Sequence, residues 1–356
     1  MTNRERMTRF IKGLPTDRTP FVQYDNIGAP NEEIWNVVGR ENMGISIWTE
    51  AYSLVTENST MAIETITGNG QVVYVTTLNT SAGSLYQERV PVPGIPKVTN
   101  INKHFVTSLE DYRIILAYLS DIQVVENREK LVKSWDYVGD DGLPHTWIGR
   151  TPFQELWVNW VSMMDLSFHL MDDPILLDEV MALFGDITLQ AAAVSARVAD
   201  EIEIPYIVIG DNITAPLIGP DRFAKYCVPY YQKVSELFTE KEIPLVVHMD
   251  GDLKPLWPLI GDSGVGGLDS FSPPPDNDTS VAEANSMWPD IRLMLNFPSS
   301  VHLGSEEEIY QKTVELLTEA GDSGRLQIQI SENPPTDCWK KSYPQIIKAI
   351  EEFGRN

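Results

Sequence analysis

Short, mostly apolar runs alternate with longer amphipathic patterns along most of the chain. Runs of four to seven residues have the composition of strands that are buried on both faces. Eight such runs lie at residues 21–24, 45–48, 143–149, 206–210, 245–248, 267–271, 292–295 and 326–330. Most are separated by patterns of helical period, such as the one at 305–321. This alternation predicts parallel strands, and eight of them favour a closed (β/α)8 TIM barrel over a doubly wound open sheet.

One segment does not fit this alternation. Residues 71–90 are rich in Val, Thr and Tyr on both sides of 79–83, which is typical of a β-hairpin. We therefore expect a TIM barrel with an N-terminal hairpin addition. Length alone would allow two domains, but α/β barrels commonly use this many residues as one, and no repeat or linker interrupts the pattern. The prediction is a single domain spanning residues 1–356.

Composition and charge restrict the partners. The chain has 51 acidic and 27 basic residues, a formal net charge of −24, which argues against nucleic acid or an anionic membrane as a partner. A basic or neutral partner protein is compatible with this charge. Two cysteines, Cys227 and Cys338, imply no disulfide framework. The start of the chain lacks the apolar core of a signal peptide and no run has membrane-spanning length, so a cytoplasmic location is expected.

Polar side chains follow several of the predicted strands. The active site of a parallel barrel lies at the carboxyl ends of its strands. The polar residues there are Asp25, Asp211, Asn212, His248, Asp250, Asn296 and Glu332. Most of them offer the oxygen or nitrogen donors that a metal cation prefers. The alternative is that the Asp-Asn pairs at 25–26 and 211–212 are ordinary turn residues.

His248 and Asp250 stand out among these residues. They follow the apolar run 245–247, and in an extended backbone side chains two positions apart point to the same side. An imidazole beside a carboxylate suits either a metal ligand pair or an acid/base pair. A turn that needs Gly251 between Asp250 and Asp252 is the alternative. The other four histidines are interpreted as surface or packing residues; they are His104, His145, His169 and His302.

Aromatic residues cluster after the third predicted strand. Trp157 and Trp160 have helical spacing, which favours packing, while an aromatic wall over the barrel mouth is the alternative. Tyr24 ends the first predicted strand and Trp147 belongs to this aromatic cluster; both are predicted to face a substrate. The candidate substrate-binding residues are thus Tyr24, Asp25, Trp147, Asn212 and Asn296.

Several motifs in this order resemble those of the uroporphyrinogen decarboxylase superfamily. They are NRERMTRFIKG followed by DRTPF, the GD-N residues at 210–212, the His-x-x-Gly strand end at 248–251 and the segment SENPPTDCW at 331–339. The similarity covers nearly the whole chain. It implies a single (β/α)8 barrel with one of two activities: porphyrinogen decarboxylation, or cobalamin-dependent methyl transfer with a corrinoid protein.

The decarboxylase branch carries an Arg-Gln-Ala-Gly-Arg segment that holds the substrate carboxylates. The corresponding residues here, 20–35, contain no arginine. A polyanionic tetrapyrrole would instead meet Asp25, Glu32 and Glu33, whose charges repel it. The resemblance therefore favours the methyltransferase branch.

In that branch zinc is held by a His-x-Cys pair and by a Cys after the last strand. His248 matches, but Asp250 replaces the first thiolate, and Ser331 or Glu332 stands at the second. One alternative is that the metal site is lost. The other, which we adopt as the prediction, is a zinc site formed by His248, Asp250 and Glu332, since zinc also accepts nitrogen and oxygen ligands. Without thiolates the ion would be more electron-poor and would polarise an ether oxygen, which favours demethylation of a methoxylated substrate.

The leading hypothesis is a methyltransferase that moves a methyl group between a small donor and a corrinoid protein. His248, Asp250 and Asp211 are its candidate catalytic residues, with Asp211 or Asn212 orienting the substrate or donating a proton. The second hypothesis is a metal-free decarboxylase that uses Asp250 or Asp211 as general acid. A non-catalytic binding barrel is the third, and a homodimer is left open.

Overall fold

The computed structural model describes residues 1–68, 71–93 and 98–354. Its strands, numbered in chain order, are β1 Phe21–Tyr24, β2 Gly44–Thr49, β3 Tyr52–Val55, β4 Thr60–Gly68, β5 Gln71–Thr80, β6 Gly83–Pro91, β7 Thr99–Lys103, β8 Gln123–Glu126, β9 Gly142–Trp147, β10 Ile207–Ile209, β11 Leu245–His248, β12 Gly267–Phe271, β13 Arg292–Asn296 and β14 Leu326–Ile330.

The α-helices are α1 Asn3–Ile11, α2 Asn31–Val38, α3 Tyr112–Asp121, α4 Arg128–Val138, α5 Pro152–Glu155, α6 Met163–Asp172, α7 Pro174–Val198, α8 Ala215–Tyr226, α9 Val228–Phe238, α10 Trp257–Gly261, α11 Val281–Met287, α12 Glu306–Ala320 and α13 Trp339–Phe353. Short 3-10 turns and one π-helical turn, Leu156–Trp160, connect some of them. Among the described residues, no helix is both long enough and apolar enough to cross a membrane.

The chain packs as two compact units. The first contains Met1–Ala51, Asn127–Ile148 and Ser195–Asn356, and the second contains Tyr52–Glu126 and Gly149–Val194. The prediction that residues 1–356 form a single domain stays a prediction.

A closed barrel of eight parallel strands forms the first unit. Around the barrel the order is β1, β14, β13, β12, β11, β10, β9, β2, and β2 pairs again with β1. These are the eight strands that the sequence pattern predicts, so the TIM-barrel prediction is confirmed. The closure pairs Val22 with Gln329 on one side of β1 and Tyr24 with Ser46 on the other.

The barrel interior changes from apolar to polar along the strands. Helix α1 packs Met7, Phe10 and Ile11 into a buried cluster that also contains Val22, Leu143, Tyr206, Val208, Val246 and Met294. Side chains two residues apart on a strand share a face. The next side chain on the same face, two residues closer to the carboxyl end, is Tyr24 after Val22, His145 after Leu143 and His248 after Val246. The polar groups are therefore concentrated near the carboxyl ends of the strands.

The second unit contains two antiparallel sheets. Strands β5 and β6 form the hairpin expected at 71–90, with Thr80 opposite Gly83. The hairpin is the centre of a four-stranded sheet in the order β4, β5, β6, β7, and β3 pairs separately with β8. Leu78 and Leu85 of the hairpin are buried. Sequence patterns predicted the hairpin but not its two outer strands.

A buried histidine in the barrel unit makes folding stability depend on pH. His302 is 1% exposed, and its Nδ1 has no hydrogen-bond partner among the described residues. Burial lowers the pKa of His302 from 6.5 to about 4. The unfolded chain therefore binds a proton that the folded chain does not bind as the pH falls below 6.5, and stability is lost between that pH and about 4.

We expect His302→Phe to lose less stability than the wild type between pH 7 and pH 4.5, by up to ~3 kcal/mol. Phenylalanine keeps the ring contact with Phe297, whose centroid lies 5.0 Å from that of His302, but has no group to protonate. Urea unfolding across this pH range measures the difference. Between pH 7 and pH 8 the difference in free energy of unfolding between the two proteins should stay constant. An equal loss of this free energy in both proteins between pH 7 and pH 4.5 would contradict the prediction.

Candidate metal site at the barrel mouth

His248, Asp250 and Glu332 meet at the carboxyl end of the barrel. Nε2 of His248 lies 3.3 Å from Oε1 of Glu332 and 3.9 Å from Oδ2 of Asp250. One ligand atom from each residue lies within 4.8 Å of the others. His248 is the last residue of β11 and Glu332 follows β14, so the closed barrel brings together groups that are far apart in sequence.

The backbone around Asp250 and Glu332 is held by specific contacts. Oδ1 of Asn296 accepts hydrogen bonds from the backbone N–H groups of Ser331 at 3.1 Å and Glu332 at 3.2 Å. The backbone oxygen of Asp250 accepts a hydrogen bond from Nδ2 of Asn277 at 2.6 Å. A Cβ at position 251 would lie 2.2 Å from Cβ of Thr214, so Gly251 is required for this close approach. Asn296 therefore positions Glu332.

Asp269 fixes the imidazole from the other side. Its Oδ2 lies 3.1 Å from Nδ1 of His248, and the Tyr24 hydroxyl donates to the same oxygen. Nε2 of Gln329 donates to Oδ1 at 2.7 Å. Since Asp269 engages Nδ1, Nε2 is the ring atom directed at Asp250 and Glu332. A carboxylate that holds the far nitrogen of a histidine is the usual outer partner of a metal ligand.

Local backbone geometry places Asp269. The pairing of β12 with β13 shifts register between Asp269 and Phe271, and Ser270 has φ 55°. A left-handed serine in a strand is a strained conformation that clusters at functional sites. Oγ of Ser270 donates to Oγ of Ser331 at 2.6 Å, which connects this bulge to the residue preceding Glu332.

The carboxylates around His248 favour a positive charge on its imidazole. Burial opposes protonation of His248, but the hydrogen bonds that the imidazole donates to Asp269 and Glu332 outweigh burial and raise the pKa of His248 to about 10. Burial likewise opposes ionisation of Asp269, yet its contact with His248 lowers the pKa of this carboxyl below its ordinary value. Burial and the charge of Asp269 raise the pKa of Tyr24, so its hydroxyl stays protonated and can donate.

The donor set fits a divalent metal ion. Tetrahedral ligands at about 2.1 Å from zinc are separated by roughly 3.4 Å, close to the distances of Glu332 and Asp250 from Nε2 of His248. Histidine nitrogen and carboxylate oxygen are donor types that zinc accepts, and catalytic zinc sites combine three protein ligands with a fourth position open to water or substrate. The orientation of the imidazole by Asp269 satisfies the outer-shell requirement as well.

The remaining candidates have other surroundings. Asp211 is fully buried and accepts a hydrogen bond from the Tyr231 hydroxyl at 2.6 Å, and it is not part of the three-residue ligand cluster. Asn212 follows it and is partly exposed. Asp25 accepts hydrogen bonds from the side chains of Asn31 at 2.6 Å and Tyr137 at 2.9 Å, which stabilise the segment after β1. The roles assigned to these three residues stay predictions.

Aromatic rings adjoin the polar cluster. The Trp48 ring centroid lies 4.9 Å from that of Trp147 and 5.4 Å from that of Tyr24. Trp48 is 39% exposed although it projects from a barrel strand. A Cβ on Gly210 would lie 1.5 Å from the Trp147 ring, so the glycine lets that ring lie against the backbone of the neighbouring strand. Tyr24 thus touches both this aromatic group and Asp269.

Sequence reasoning missed three members of this region. The sequence pattern identifies Asp269 only as part of an apolar strand and gives Trp48 no role. His145, interpreted as a surface or packing residue, is 1% exposed and has Nδ1 2.7 Å from Oγ of Ser46. Burial lowers the pKa of His145 to about 4, which keeps the ring neutral. The alternation of inward and outward positions on β9 and β12 was the available signal.

Comparisons with known proteins agree with this architecture. The family model described as uroporphyrinogen decarboxylase (URO-D) matches residues 169–327, a range that includes His248, Asp250 and Asp269 and ends before Glu332. A methyltransferase from Methanosarcina mazei has a similar structure, with a TM-score of 0.58 at 16% sequence identity and 99% of each chain covered.

Two glycosidase structures are more distantly similar. A family 5 glycoside hydrolase from Prevotella bryantii has a TM-score of 0.43 at 9% identity, with 99% of each chain covered. A catalytic module of the pneumococcal exo-beta-D-N-acetylglucosaminidase has a TM-score of 0.42 at 10% identity and covers 99% of this chain and 88% of its own. The comparison with curated proteins found no match. The family match over residues 169–327 and the closed eight-stranded parallel barrel support the uroporphyrinogen decarboxylase resemblance that the sequence motifs indicate.

Proposed function

We propose that this chain is a metal-assisted methyltransferase that moves a methyl group between a small methoxylated substrate and a corrinoid protein. The observation that carries the proposal is the convergence of His248, Asp250 and Glu332 within 4.8 Å at the barrel mouth. The similarity in fold to a methyltransferase from Methanosarcina mazei supports it. The corrinoid is supplied by the partner, and the acidic charge of this chain favours a partner with a neutral or basic docking face.

Three side chains would hold the metal. His248 supplies Nε2, and Asp250 and Glu332 each supply a carboxylate oxygen. A bound zinc ion would act as a Lewis acid that polarises the ether oxygen of the substrate. Asp269 holds Nδ1 of His248 and Asn296 holds the backbone of Glu332, so these two residues keep the ligands oriented.

The chain also offers groups for the rest of the substrate. Tyr24, Trp48 and Trp147 provide ring surfaces beside the ligand cluster, which suit the planar or apolar part of a methoxylated compound. Asn212 and Asp25 are proposed to contact substrate polar groups. Asp211 is proposed to orient the substrate or to donate a proton.

A decarboxylase is the second candidate, because the matching family model carries that description. The charge at the mouth opposes the polyanionic substrate of that reaction, since Asp250, Asp269 and Glu332 lie around a single imidazole. Metal-free decarboxylation with Asp250 or Asp211 as general acid would release carbon dioxide without any methyl acceptor. Measuring carbon dioxide release therefore separates the two activities.

We expect the purified chain to bind about one zinc ion and His248→Ala to lose it, because the substitution removes the only nitrogen ligand. Elemental analysis after gel filtration measures zinc. Transfer of the methyl group from a neutral methoxyphenol to free reduced cobalamin, followed by absorbance, should be at least a hundredfold slower in the variant. His302→Phe changes a buried histidine outside the ligand cluster and is the matched control. A wild-type protein without metal, or equal zinc content in His248→Ala, would refute the proposal.

Asp269 should affect the metal without touching it. We expect Asp269→Asn to weaken zinc binding by about 10- to 100-fold, because the amide holds Nδ1 of His248 less firmly. A chelator competition assay measures the affinity, and the absorption spectrum of the cobalt(II)-substituted protein reports altered ligand geometry. Asp262→Asn makes the same change at an exposed position and should leave both readouts unchanged. Unaltered zinc affinity in Asp269→Asn would rule out this positioning role.

A further inference from the structure

Strand β4 is an open edge of the four-stranded sheet. It pairs with β5 in continuous register, from Thr60 opposite Asn79 to Gly68 opposite Gln71. Within the described residues no strand pairs with its other side, since β4 ends the sheet order. Every residue of β4 is exposed. The outer backbone N–H and C=O groups of this strand are therefore available to pair with another strand.

This edge lacks the features that usually prevent edge pairing. Natural edge strands are commonly short, interrupted by proline or a bulge, or lined with charges, especially lysine. β4 is nine residues long, contains neither proline nor a basic residue, and pairs with β5 without a bulge. Its apolar residues Met61, Ile63 and Ile66 are 46%, 71% and 53% exposed. Such a strand is expected to be covered in the assembled protein.

We propose that a second copy of this chain covers it, with the two β4 strands antiparallel across a two-fold axis. The net charge of −24 opposes contact between most pairs of surfaces on two copies, but β4 carries a single charge, Glu64. An antiparallel strand pair is self-complementary, as a two-fold interface requires. The dimer would join the two four-stranded sheets into one continuous sheet.

Charge also selects the register. With the axis at Glu64, two carboxylates would face each other directly, which is destabilising. With the axis at Thr65, Glu64 would face the apolar Ile66 of the partner subunit. With the axis at Ile63, the two Ile63 side chains pair, and Glu64 lies opposite the small Ala62 of the partner subunit. The register with the axis at Ile63 covers the most exposed apolar residue of the strand. It places Glu64 opposite neither the other Glu64 nor Ile66.

Sedimentation of the full chain tests the interface. The wild type should form a concentration-dependent dimer that strengthens with salt, because salt screens repulsion between acidic copies. Ile63→Lys should raise the dimer dissociation constant at least tenfold, since it puts two like charges on the axis. Ile175→Lys makes the same change at another exposed apolar residue and should leave the dimer intact. A wild type that stays monomeric, or a dimer insensitive to Ile63→Lys, overturns the proposal.

Cysteine substitution tests the register. Opposite residues in antiparallel strands have Cα atoms about 4.5–5.5 Å apart, which allows a disulfide. Ile63→Cys should cross-link into a covalent dimer under mild oxidation, whereas Thr65→Cys, which faces Met61 of the partner subunit, should not. The two native cysteines are buried and give little background. Cross-linking through Thr65→Cys and not through Ile63→Cys would overturn the proposed register.

Discussion

The contact between Asp269 and His248 is the interaction on which the proposed site depends. Asp269 is 3% exposed, and burying an ionised carboxylate costs several kcal/mol unless it is paired and hydrogen-bonded. Here Oδ2 of Asp269 accepts hydrogen bonds from His248 and Tyr24, and Oδ1 accepts one from Gln329, so both oxygens have hydrogen-bond partners. The same contacts fix the imidazole plane and direct Nε2 toward Asp250 and Glu332. One buried carboxylate thus organises groups from β1, β11, β12 and β14.

This arrangement follows from the division of the barrel interior. Helix α1 supplies Met7, Phe10 and Ile11 to an apolar layer, which contributes stability through burial. Polar side chains begin one inward position farther along the strands, where the interior opens to the mouth. Separate layers allow the protein to hold a costly buried polar network at one end while the apolar layer holds the strands together. The polar residues of the candidate site and the apolar residues that stabilise the barrel are therefore different residues of the same strands.

Much of this structure could be predicted from sequence, for a definite physical reason. Strands that are buried on both faces need apolar runs, and these are visible for all eight barrel strands. The carboxyl-end rule for parallel barrels then indicates that His248, Asp250 and Glu332 face one mouth. Asp269 could not be found this way, because it lies inside an apolar run and its placement depends on the bulge at Ser270. The sequence pattern does not predict the outer strands β4 and β7, because every residue of β4 is exposed and the better-covered face of β7 is only half-buried.

The replacement of thiolates by carboxylates has a consequence for the substrate. The resemblance implies two cysteine ligands in the methyltransferase branch, and Asp250 and Glu332 would preserve their total charge of −2 while supplying harder donors. Harder donors leave a bound ion more electron-poor, so it would assist departure of an oxygen better than it would activate a thiol. Asp269 adds a third negative charge close to His248. With a divalent ion bound, these groups would still carry a net negative charge, and a polyanionic substrate would be repelled. The electrostatics therefore favour a neutral methyl donor over a porphyrinogen, independently of the missing arginine segment near β1.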